Sequence, residues 1–227
     1  MMEKFFQNQT VIFYTLLASS LVITRLPIIG KFFRIVNTLI HESGHALMAL
    51  LLSGNVHRID LLSDTSGSAL TASKNGFSRL LVSLAGYPSS ALFAYFCFYC
   101  IKQNAANYVI YILIGIAVFN LLFFVRNAYG IFWLICFLGI AAGVIYLNQA
   151  MLMYAFSLLC SFIVLTDAVI SGIHLLVIAV KTPKAAGDAK NLNEATHLPV
   201  VIWALLLFAF SVFCAYKTIW VFFPKIF

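Results

Sequence analysis

The sequence predicts an all-α polytopic membrane protein: a bundle of about six to seven transmembrane helices with a short β-hairpin after the second. Three observations predict it. Hydrophobic residues make up 63% of the 227 residues and charged residues only 9%, against about 25% charged in a soluble domain. The mean hydropathy is +1.01. The apolar residues fall in segments near the roughly 20 residues that a bilayer-crossing helix needs, and what lies between them is too short for a separate soluble domain. This excludes a secreted disulfide scaffold, a disordered tail, a coiled coil and a soluble enzyme on an anchor. We expect one integral-membrane domain over residues 1–227, in contact with the lipid bilayer.

The elements follow in order. The first apolar run, Thr10 to Ile23, ends at Thr24, Arg25 and Pro27 and reads as a retained span, because the stretch before it is only weakly basic. Phe32 to Ser53 is the second, with Gly54 as a helix stop. Asn55 to Gly76 mixes Ser, Thr, Asp and Gly with Val56, Ile59 and Leu61, a hairpin composition. Spans are expected at about Phe77–Ile101, Tyr108–Val125, Ala128–Leu147 and Met151–Val180. A polar loop from Lys181 to His197 and a last span, Pro199–Phe222, complete the chain. Tyr87-Pro88 is expected to kink the third span. The net charge of +7 is scattered at segment ends, the placement of headgroup anchors, so no nucleic-acid partner is expected. Cys97 and Cys100 form a C-x-x-C inside a span and read as small packing residues.

One motif carries chemistry. His41-Glu42-Ser43-Gly44-His45 places two imidazoles four residues apart, one above the other on one helix face. That spacing suits two ligands of one zinc ion, with Glu42 as general base and not ligand. With five His in the chain, chance gives such a pattern roughly once in 700 comparable chains. Three ionisable groups within five residues of a span are costly without a partner, and a metal is the simplest partner. Gly44 allows close approach of another helix or of substrate at the metal face.

The embedded His41-Glu42-Ser43-Gly44-His45-Ala46 resembles the site-2-protease type of intramembrane zinc metallopeptidase, in its small bacterial B-type branch. Weaker matches extend over nearly the whole chain. The Asn55–Gly76 stretch stands where that family has a membrane-associated hairpin. Gly86-x-x-x-Ser90 resembles its Gly-x-x-x-Asn/Ser/Gly motif, Arg126-Asn127-x-Tyr129-Gly130 follows the fourth span, and Asp188-Ala189-x-x-Leu192 with Thr196, Leu198-Pro199 and Trp203 resembles the branch's C-terminal signature. The resemblance implies one zinc ion, a multi-pass protein of the bacterial cytoplasmic membrane, a transmembrane protein as substrate, and regulated proteolysis.

The family takes its third zinc ligand from an Asp-Gly in a later span, after Asn-x-x-Pro. This chain has no Asp-Gly, and Asn120-Leu121-Leu122-Phe123 is a degenerate form of the preceding motif. Asp167, a carboxylate inside the sixth span, is the expected third ligand; its other readings are a partner for an imidazole N–H or a structural ion pair. Asn127 is favoured by chain order, and Asp188 or Glu194 remain as loop donors. Arg126 reads as a headgroup anchor or as support for an oxyanion.

Hydrolysis in a span requires a water-filled cavity at the depth of His41 and His45, and an extended substrate. Pairing with the hairpin's edge, which we place on the first strand around Ile59, would extend it. Two other classes of function compete: an inactive pseudoprotease of the same fold that holds a membrane partner, and a small metal transporter, which the lack of an internal repeat disfavours.

Overall fold

The computed structural model describes residues 9–224. Seven long helices stand at the seven expected positions: α1 (Gln9–Ile23), α2 (Ile29–Leu51), α3 (Gly76–Lys102), α4 (Ala106–Phe123), α5 (Ala128–Leu147), α6 (Ala150–Lys181) and, after a short helix, α8 (Val200–Phe222). Five of them, α3 to α6 and α8, are long and apolar enough to cross a membrane, α1 is a shorter apolar helix, and α2 carries the polar motif. The protein is an integral, multi-pass membrane protein.

The segment expected as a polar loop contains a further helix, α7 (Gly187–Thr196). Its residues are mostly polar, so no spanning signal marks it. Ala189 and Leu192, three apart, are buried with Ala204 and Leu207 of α8 and Leu175 of α6, which makes a two-residue apolar stripe sufficient to dock it. Trp203 of α8 donates to the Thr196 hydroxyl at 2.8 Å, and Arg79 of α3 pairs with Glu194.

Strands β1 (Asn55–Leu61) and β2 (Gly67–Ala72) pair antiparallel, Ile59 opposite Ala69 and Leu61 opposite Gly67, with an irregularity between Val56 and Arg58. The hairpin lies on α2, where Thr38 donates to the Thr65 carbonyl at 2.7 Å. The expectation of a free edge at Ile59 is corrected. The Ile59 N–H donates to Phe124 O at 2.9 Å, and Ile59 bridges Val125. The side chain of Asn127 accepts from Leu61 N at 3.1 Å and donates to Leu61 O at 2.6 Å. The outer side of β1 is therefore occupied. Residues facing outward on β1 oppose residues facing outward on β2, so Gly67 and Ala69 turn their main-chain groups away from β1. Among the described residues β2 pairs with β1 alone, which makes β2 the open edge.

The core lies where α2, α3 and α6 meet, around Ile35, Leu39, Phe98 and Phe162. Asn120 of α4 fastens this core to the motif: its amide donates to the Ser43 hydroxyl at 2.9 Å, and Ser43 donates to Leu39 O. The degenerate motif thus retains an asparagine that positions α2.

Candidate metal centre

The histidine spacing becomes geometry on α2. The Nε2 atoms of His41 and His45 lie 3.1 Å apart. Nδ1 of His45 donates to Val82 O of α3 at 2.6 Å, which turns Nε2 toward His41. Tyr87 meets the His41 ring edge-on, with centroids 4.8 Å apart. Gly44 and Gly86 permit the approach of α3. A Cβ at Gly44 would strike the Ser89 side chain, and one at Gly86 would lie 2.5 Å from Nε2 of His41 and against Nε2 of His45. The space that Gly86 leaves empty is where both imidazoles point. Ser90, one turn on, is buried at the helix contact, and its hydroxyl has no partner among the described residues.

The carboxylate that joins the two imidazoles is Asp188, from the second residue of α7. Its Oδ2 is 3.2 Å from Nε2 of His41 and 3.2 Å from Nε2 of His45. Burial alone would raise its pKa, but the neighbouring His45 and His41 outweigh this and hold its carboxyl well below the usual carboxylate range. Among the described residues, His41, His45 and Asp188 are the group of acidic, His and Cys side chains whose donor atoms converge as a metal site requires. Separations of 3.1–3.2 Å fit the set: ligands about 2.0–2.1 Å from a tetrahedral zinc stand about 3.3 Å apart. Two neutral imidazoles and one carboxylate are also a zinc donor set of catalytic type, leaving a fourth position open.

The structure does not bring Asp167 to this cluster. Its two oxygens accept from Nε of Arg34 on α2 at 2.9 and 3.1 Å, so the costly buried carboxylate is balanced by a cation. Asn127 is not there either, since its amide spans both main-chain groups of Leu61. Arg126 donates to the carbonyls of Leu122, Phe123 and Val125, at 3.1, 2.7 and 2.9 Å. It satisfies the open C-terminal end of α4 rather than facing the histidines. Glu194 pairs with Arg79 and Lys190.

Glu42 is buried beside the cluster. A Cβ at Gly67 would stand 3.0 Å from its Oε1, and the Ala69 backbone also interacts with its carboxylate. The open edge of β2 therefore runs directly past Glu42. Sequence reasoning missed Gly67, Ala69 and Val82, whose glycine, alanine and backbone contributions carry no chemical signature. A cavity of about 560 Å³ connects these parts, lined by residues of α2, α3, α6, the hairpin and the start of α7.

Comparison with curated proteins and with solved structures gave no match. The profile of the family described as peptidase M50B-like matches residues 12–218, nearly the whole chain and every element of the site. The chain belongs to the peptidase M50B-like family.

Proposed function

We propose that this protein is an intramembrane zinc endopeptidase that hydrolyses peptide bonds in or near the transmembrane segments of other membrane proteins. The observation that carries the reading is the convergence of His41, His45 and Asp188 on one point beside the buried Glu42, on the open edge of a strand. A zinc ion held by those three side chains would polarise a water molecule and the scissile carbonyl. Glu42 removes the proton from the attacking water and returns it to the departing amine. As a base that need not bind the metal, it has no function in a site that only stores an ion, which favours hydrolysis over a binding-only relative.

The substrate must be unwound, because carbonyls within a helix are already hydrogen-bonded. The main-chain groups of Gly67 and the carbonyl of Ala69 face outward toward an extended segment and lay it along Glu42, which already accepts from the Ala69 backbone. Small residues in β2, Gly67, Ser68 and Ala69, leave the depth of the cavity for substrate side chains. We place the protein in the bacterial cytoplasmic membrane, with regulated proteolysis of a membrane-bound protein as its role. The test is cleavage of a fluorogenic transmembrane substrate in detergent by purified protein and its Glu42→Gln variant. Zinc-dependent cleavage by the first and none by the second is expected; equal turnover by both overturns the reading.

A further inference from the structure

Hydrolysis places negative charge on the carbonyl oxygen of the substrate. The attacking water forms the new C–O bond, its proton passes to Glu42, and the carbonyl π pair moves onto oxygen. A hydrogen-bond donor held at that oxygen gains strength only as the charge develops, so it accelerates the step itself. The polar side chains of α4 and the turn after it are engaged elsewhere. The Asn120 amide donates to Ser43 and to Ile116 O, the Asn127 amide to Leu61 O, and Arg126 to carbonyls at the end of α4.

Helix α3 carries a donor that is not engaged. Tyr87 follows Gly86, so its Cα stands about 3.8 Å from the glycine toward which both imidazoles point. On one side its ring meets the ring of His41. On another it packs against the apolar cluster of Leu175, Ala186 and Ala189 that docks α7. The motif helix and the helix that carries Asp188 thus fix the ring between them. Tyr87 lines the cavity together with His41, Glu42, His45 and Asp188. The charged groups that act on its hydroxyl are Asp188 and Glu42. It donates to neither: among the described residues the Tyr87 hydroxyl has no hydrogen-bond partner. Thr38 and Ser66 also line the cavity, but their hydroxyls are taken by Thr65 O and Asp64. A phenol is protonated and uncharged at neutral pH. It can donate to an oxyanion without pairing beforehand with Asp188 or Glu42, as a lysine or arginine would.

We propose that the Tyr87 hydroxyl donates a hydrogen bond to the oxyanion of the tetrahedral intermediate. This rests on the endopeptidase reading and adds a catalytic residue to it. The phenol O–H bond stays intact. The C–N bond breaks as the oxyanion re-forms the carbonyl, and Glu42 protonates the departing amine. The ring has a separate part in holding His41, so oxygen and ring are tested apart.

Tyr87→Phe removes the oxygen and keeps the ring. Zinc content, and kcat and KM for a fluorogenic transmembrane substrate, are measured on the purified variant in detergent. Two affinities are measured in the Glu42→Gln background, with and without Tyr87→Phe. One ligand is a plain transmembrane peptide. The other is the same peptide with a phosphinate at the scissile position, tetrahedral and anionic there. Tyr87→Phe should keep one zinc per chain and an unchanged KM, and lose about a hundredfold in kcat. It should bind the plain peptide as before and the phosphinate about tenfold or more weakly. Tyr87→Leu, which removes the ring as well, should also weaken zinc binding. A purely structural tyrosine predicts full activity in Tyr87→Phe and loss in Tyr87→Leu alone. Unchanged kcat in Tyr87→Phe, an equal loss for both peptides, or loss of zinc with the oxygen overturns the proposal. Unaltered protein that cleaves no transmembrane reporter would refute the endopeptidase reading. A phosphinate preference that Tyr87→Phe abolishes would then leave the donor standing, and the absence of that preference would remove both.

Discussion

A Cβ atom on Gly86 would lie 2.5 Å from Nε2 of His41, so the third helix reaches the His41–His45 face of the second with no side chain of its own at that point. The small residue is there because the imidazoles need the volume.

Gly86→Ala should therefore displace both histidines. Gly86 sits inside a helix, where alanine is favoured by about 1 kcal/mol, so the helix itself gains while the site loses. Zinc affinity, titrated against a graded chelator, is expected to fall by about a hundredfold, with the helical circular dichroism unchanged. Unaltered zinc affinity would mean the imidazoles do not use this space.

Asp188→Ala and Asp167→Ala should separate cleanly. The first removes a donor from the cluster and should strip the metal while leaving the fold intact. The second leaves Arg34 uncompensated, which costs about 3–5 kcal/mol when a buried pair is broken. It should lower the thermal midpoint while one zinc per chain remains. Zinc content and thermal unfolding of each purified variant decide between these roles, and the reverse pattern would restore Asp167 as ligand.

Asn127→Ala should loosen the hairpin without touching the metal. It removes two hydrogen bonds from Leu61, and neutral bonds contribute about 0.5–1.5 kcal/mol each. Faster amide hydrogen exchange at Leu61, slower substrate cleavage and unchanged zinc content are expected. Ile59→Pro would act by the same route, through the lost bond to Phe124 O, rather than by blocking a substrate edge. If Asn127→Ala loses zinc, the residue is nearer the chemistry than its contacts with Leu61 indicate.

The long helices were legible because a bilayer span writes itself as an apolar run, and the hairpin because its composition breaks that run. The His41–His45 pair was legible because helical spacing is local. The third member of the cluster was not. Asp188 reaches His41 across 147 residues of sequence, and the short helix that carries it is polar enough to pass for a loop. Asp167 drew attention by being buried, yet burial demands only a partner, and Arg34 supplies one from a distant span. The family resemblance did mark Asp188-Ala189-x-x-Leu192. Ala189 and Leu192 are the residues that dock the helix, so the signature records how Asp188 is held.

The central claim is that His41, His45 and Asp188 hold a zinc ion with which Glu42 hydrolyses a peptide bond inside a membrane. The most direct measurement is cleavage of a transmembrane reporter by the purified protein in liposomes, before chelation, after it and after readdition of zinc. Mass spectrometry of the products would locate the cut. Cleavage that vanishes with the chelator and returns with about one equivalent of zinc, at a bond in or near the membrane segment, is the expected result. Cleavage that survives complete removal of the metal, or metal-loaded protein that cleaves no transmembrane reporter, would contradict it.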